Sequence, residues 1–257
     1  MITFLDPSER PILSLWIGDD VTALRPDVTV RVVVALGVGN GPSDAASVAE
    51  LEQAQRAVVT SGLAADPASH PHLAAWRETF QAFGAKPRRT PNSAEALIRR
   101  AGRGGVPPIS VLVDLYNAVS LRHAIPVGGE DIQTVRGTSR LVRAQGDERF
   151  DTTANGEPVI ESPEPGEVVW RDDVGVTCRR WNWRQGTRTW LTETTRDAYF
   201  LLEALAPAVG DPLEAATEDL VTLLRRWSPD TVIATATLSA DTPEETITVG
   251  ATASVSE

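Results

Sequence analysis

Between Val28 and Val38 the chain reads VTVRVVVALGV, dense in β-branched residues and bounded by Pro26 and by the GNGP turn at Gly39–Pro42. That pattern predicts a buried strand, with the preceding ILSLWIG as a partner strand. Asp44–Gly62 has helical composition and ends on a glycine suited to a C-terminal cap. In SHPHLAAWRETFQAFG, residues 69–84, Leu73, Trp76 and Phe80 recur at helical spacing. A further helix starts at Asn92 or Ser93, whose side chains can accept from the first free amides, with Glu95 in the first turn. After Pro107 and Pro108, ISVLVDLYNAVSLRHA predicts a buried helix carrying Asp114, Asn117 and Ser120 at three-residue steps on one side.

From Pro126 onward the pattern turns to short strands: EDIQTV, SRLVRAQ, and GEVVWRDDVGVTCRRWNWR, whose DDVG centre predicts a hairpin turn. Thr192–Thr195 can cap a helix in TRDAYFLLEALA. The amphipathic helix PLEAATEDLVTLLRRW then leads to the strand TVIATATLS, and the polar end, residues 240–257, is expected to fray. No repeat is visible, and the Pro-rich SPEPG at 162–166 is too short to separate domains. The expectation is an α+β fold, a single domain over residues 1–239 with a mixed or antiparallel sheet packed by helices.

The composition of the 257 residues, 42% hydrophobic and 23% charged, fits a soluble globular protein. The N-terminus lacks the basic start and unbroken apolar run of a signal peptide, and no segment approaches a membrane span. The single cysteine, Cys178, cannot form an internal disulfide, which fits a reducing cytoplasm. The formal net charge of -11 is unevenly spread: residues 86–143 hold ten Lys and Arg against four acids, between two acidic flanks. Such a centre can face an anionic partner such as RNA phosphates, or its arginines can pair with the flanking acids.

Familiar chemical signatures are missing. There is no phosphate-cradling Gly-Lys-Ser loop, no helical zinc pair and no paired-cysteine site, so neither a cofactor nor a metal is expected. The glycines at 37, 39 and 41 lack the third glycine of a dinucleotide turn. His70 and His72 flank Pro71 in what reads as a solvated turn, His123 suits a helix C-terminus, and Cys178 reads as an inert buried thiol. In CRRWNWRQ, strand alternation puts Cys178, Arg180, Asn182 and Arg184 on one face and Arg179, Trp181 and Trp183 on the other. Paired indoles favour a core, whereas the Arg, Asn, Arg row must face acids, solvent or an anionic ligand.

The ordered pieces SAEALIRR, VDLYNAVSL, IPVGGEDI, GEVVWRDD, CRRWNWRQ and TWLTETTRDAYFLLEAL span about residues 80–205. Together they resemble the B3/B4 domain of the phenylalanyl-tRNA synthetase beta subunit, and more closely the freestanding bacterial proteins built from that domain alone. The resemblance implies an editing module that hydrolyses the ester of tRNA mischarged with tyrosine, with a pocket between sheet and helices. Asn117 falls where the synthetases carry the asparagine of their Asp, Asn helix motif. Gly128 stands where they typically have histidine, and RQGTRTW has no acid where they place a pocket glutamate.

Water activation then falls to Glu130, Asn117 or the RNA itself. Asp114, Asn117, Ser120, Gly128, Arg180, Asn182 and Arg184 are the expected substrate- or RNA-binding residues. The expected function is a freestanding editing factor acting in trans on mischarged tRNA in the cytoplasm, with neither membrane nor DNA as partner. The rival is a non-catalytic binder of tRNA or of a small amino-acid-like ligand.

Overall fold

The structure, a computed structural model, describes residues 10–249. The first half runs β1 (Arg10–Ile17), α1 (Asp19–Leu24), β2 (Thr29–Leu36), α2 (Ala45–Thr60), α3 (Pro71–Ala82), α4 (Ser93–Ala101) and α5 (Val111–His123). There follow β3 (Val127–Asp131), β4 (Ser139–Arg143), β5 (Phe150–Ala154), β6 (Glu157–Glu161), β7 (Val168–Arg171), β8 (Val176–Arg179) and β9 (Arg184–Gln185). The chain closes with β10 (Asp197–Ala204), α6 (Asp211–Trp227), β11 (Val232–Ser239) and β12 (Glu244–Val249). This is the expected α+β class.

The strands form two sheets. The larger is mixed, in the order β12-β1-β4-β7-β8-β5-β6 with β9 beside β8; the smaller is antiparallel, in the order β11-β2-β10-β3. One core joins them, with Leu15, Ile17, Leu141 and Trp170 packed with Val30, Val32, Val34, Tyr199 and Leu201. The other face of the smaller sheet, including Val33, Phe200 and Leu202, packs with Leu115 and Val119 of α5 and Leu220 and Leu224 of α6. β2 and β10 are therefore covered on both sides, which accounts for their nearly continuous apolar sequence.

Local chemistry sets the helix starts. Asp44 accepts from the amides of Ala46 and Ser47 in a capping box with Ser47, and Asn92 accepts from the Glu95 amide. Gly62, just past α2, takes the left-handed conformation (φ 80°) that ends a helix at little steric cost.

Several expectations are corrected. ILSLWIG does not partner β2; as β1 it lies in the other sheet, between β12 and β4. TRDAYFLLEALA is not a helix, because β10 pairs with β2 along all eight residues and with β3 on its other edge. Burial on both faces removes the periodic contrast that would tell strand from helix. Glu244–Val249 does not fray but pairs with β1, while residues 250–257 lie outside the described residues. EDIQTV is a strand only through Asp131, after which Ile132–Thr134 form a 3-10 turn.

Candidate functional site

The period-two geometry of β3 and β10 builds the floor of a cleft. Tyr199 lies opposite Glu130 and Leu201 opposite Gly128, so these four residues and Glu203 share the face turned toward the larger sheet. Trp170 and Cys178, from β7 and β8, stand across from them, and α4 and α5 add Leu97, Tyr116 and Asn117. The space enclosed is about 240 Å³.

Two buried carboxyls lie in this cleft, beside apolar and aromatic side chains. Burial pushes the Glu130 carboxyl up to about 7, against the pull of the Tyr199 hydroxyl, which donates to Oε2 at 2.5 Å. Glu203 is likewise pushed up to about 7 by burial, although the Trp170 indole donates to Oε1 and the Asn182 amide to Oε2, both at 2.8 Å. Carboxyls held near neutrality can both accept and return a proton. Glu203 was not singled out from the sequence, yet the signal was there: one acid in the apolar run YFLLEALA. Read as a helix it lies on a surface; read as a strand it lies in the floor of a site.

The turn after β8 supplies the opposite wall. Arg180 (φ 46°) and Trp181 (φ 66°) both adopt left-handed conformations that are rare for such residues. The pair breaks the strand period, so the expected alternation through CRRWNWRQ is corrected. Trp181 drops fully into the core, edge-on to Trp76 at 5.1 Å, while Trp183 lines the cleft. Arg179 is buried in ion pairs with Glu167 and Glu161. The Arg180 guanidinium lies 4.3 Å over the Trp183 ring and 3.5 Å from Glu167. Arg184, also at the cleft, donates to the Thr153 carbonyl.

Of the helix residues expected in the site, only Asn117 reaches it. Its side chain is mostly buried, makes no hydrogen bond to another described residue and borders the cleft. Asp114 instead accepts from the Ser47 hydroxyl and the Ile109 amide, fastening α2 to the start of α5. Ser120 donates to the Ile125 carbonyl and closes the turn after α5. Neither borders the cleft, because three-residue steps on a fully packed helix face three different neighbours. Gly128 is exposed to the cleft, and a Cβ there would meet nothing within 4 Å. In the RQGT turn, Gln185 reaches across to the Gly129 carbonyl at 2.8 Å.

The remaining candidates lie elsewhere. His72 is not in a solvated turn: its buried ring contacts the Ala124 carbonyl through Nδ1, while Nε2 accepts from Trp76 and the Leu205 amide. His123 pairs with Asp219 on α6. Burial pushes the Cys178 thiol well up, so its nucleophilic form is suppressed. Among the described residues, no group of three or more His, Cys, Asp or Glu could hold a metal, and no helix is long and apolar enough to cross a membrane.

The family model described as the B3/4 domain matches residues 75–232, a stretch that includes every cleft residue named above. No curated protein matches the chain. Among solved structures it is similar to an N-terminal fragment of the phenylalanyl-tRNA synthetase beta-subunit from Pyrococcus horikoshii, at 12% identity and a TM-score of 0.43. That match covers 86% of this chain and 50% of the other, so this chain spans half the length of that fragment.

Proposed function

This chain belongs to the B3/4 domain family, and from that membership and the geometry of the cleft we propose that it hydrolyses the ester of a mischarged aminoacyl-tRNA in trans, of the tyrosyl-tRNA for phenylalanine type. The observation that carries the reading is the pair of buried carboxyls, Glu130 and Glu203, opening with the free Asn117 amide onto one cleft lined by Trp183, Tyr116 and Leu201. In this reading the aminoacyl side chain lies against Trp183, Tyr116 and Leu201. Water adds to the ester carbonyl carbon as a cleft glutamate takes its proton. The Asn117 amide donates to the developing oxyanion, and collapse of the tetrahedral intermediate expels the ribose oxygen, which recovers the proton. Asn182 Oδ1, buried and without a partner, offers an acceptor to the substrate ammonium.

A second reading, binding of tRNA or an amino-acid-like ligand without turnover, is favoured by the open space at Gly128 and by the absence of an acid in RQGT. The deciding experiment incubates purified protein with a panel of mischarged tRNAs, including tyrosyl-tRNA for phenylalanine, beside Glu130→Gln and Glu203→Gln. Release of the amino acid by the wild type and its loss in either variant supports hydrolysis. Stoichiometric binding with no release by the wild type supports the second reading.

A further inference from the structure

The connection between α3 and α4 presents Lys86, Arg88 and Arg89 to solvent, and none of the three has an ion-pair partner among the described residues. A compact turn holds them together. The amides of Arg89 and Thr90 both donate to the Lys86 carbonyl, at 2.8 and 2.9 Å, and Pro87 is buried beneath. Beside this turn is a separate cavity of about 370 Å³, bordered by Lys86, Arg89, Thr90 and Arg180. Two acids share it. Glu167 is neutralised, since Arg179 donates to both of its oxygens at 2.9 Å; Glu164 stands exposed on the other wall.

Arg180 belongs to this cavity and also stacks over Trp183, which lines the carboxylate cleft. The two spaces therefore adjoin through one cation and one indole. On a chain of net charge -11, a run of unpaired cations beside a cleft mouth favours the approach of a polyanion there. We infer that the Lys86–Thr90 turn and Arg180 form a seat for the RNA phosphodiester backbone next to the terminal nucleotide whose ester enters the cleft. Cations on a short turn suit a flexible single strand, whose phosphates they can meet one by one without reading bases. This assignment rests on the proposed action on aminoacyl-tRNA.

The test compares wild type with the double variant Lys86→Gln, Arg89→Gln. It measures tRNA affinity across a salt series, release of the amino acid from tRNA, and release from the aminoacyl ester of adenosine, which has no phosphodiester. Both replaced side chains are exposed, and an unchanged melting temperature verifies folding. The tRNA affinity of the variant is expected to fall about tenfold near 0.1 M salt and the salt slope to lessen by about 1.4, roughly 0.7 for each lost single-strand contact. Hydrolysis of the adenosine ester stays unchanged. Wild-type tRNA binding that the variant reproduces in affinity and slope overturns the seat alone. Tight tRNA binding by the wild type without release of the amino acid overturns hydrolysis but leaves the seat standing if the variant binds more weakly. No binding by the wild type overturns both.

Discussion

Asn182 and Glu203 meet at 2.8 Å, amide nitrogen to carboxylate oxygen, across the boundary between the two sheets. Asn182 also accepts the Ser93 amide through its backbone carbonyl, so this residue ties the start of α4, the turn after β8 and the floor strand together. Asn182→Ala removes one of the two donors to a buried carboxyl and leaves that oxygen unpartnered. A loss of about 1–3 kcal/mol in unfolding free energy is expected. The acid limb of the pH–rate profile should move to higher pH, since less of the charged form is stabilised. Denaturant unfolding and the profile together check both effects.

The two glutamates also make stability depend on pH. Each has a folded-state value raised to about 7 from an ordinary 4.5. Their contribution is therefore fully present below about 4.5 and is lost as pH rises toward 7, because the native state holds a proton that the unfolded chain has released. Glu203→Gln removes one such term. The stability of wild type minus that of the variant should fall by on the order of 3 kcal/mol between pH 4.5 and 8, with most of the change complete by about pH 7. A difference that stays flat over that range would refute the assignment.

Arginines in the same region are expected to behave oppositely. Arg188 donates to both oxygens of the fully buried Asp172, at 2.9 and 2.7 Å, and holds the Asp172 carboxyl down against its burial. Arg188→Ala should cost about 3 kcal/mol or more, because a buried charge loses its counterion. Arg180→Ala and Arg184→Ala lose partly exposed contacts, so they should weaken tRNA binding severalfold while shifting the melting temperature little. Thermal melts beside binding isotherms separate the two classes.

Adjacent glycines should also diverge. A Cβ at Gly128 meets open space, whereas one at Gly129 lies 2.9 Å from both Leu191 and Phe200 side-chain carbons. Gly128→Ala should change stability by less than about 1 kcal/mol. Gly129→Ala should cost about 1–3 kcal/mol by overpacking. Chemical denaturation of the two variants reads this directly.

Much of the helical framework is legible because caps and amphipathic faces are local: Asn92 starts a helix where its side chain says it should. The strand β10 was not legible, since a segment buried on both faces carries no period to read. The hairpin of β5 and β6 is not among the expected elements, although Asn155 and Gly156 both take positive φ at its tip, the conformation for which an Asn-Gly pair is the usual sequence signal. Asn117, placed by the resemblance, and Glu130, a candidate because the family's usual acid is missing, both border the cleft. Asp114 and Ser120 lie away from it, because helical spacing gives direction but not the identity of the neighbour. The left-handed pair at Arg180 and Trp181 has no local signature, as neither residue favours that conformation, and surrounding packing must impose it.

The pairing of β1 with β12, with Arg10 opposite Val249, brings the two described ends of the chain side by side on one sheet edge. Such a layout places two attachment points side by side. Insertion into a surface loop of a host protein would then need only two short tethers. By the same logic, joining these ends and reopening the chain at the exposed Asn155–Gly156 tip would give a permuted order of elements that keeps every strand pairing, and with it the cleft.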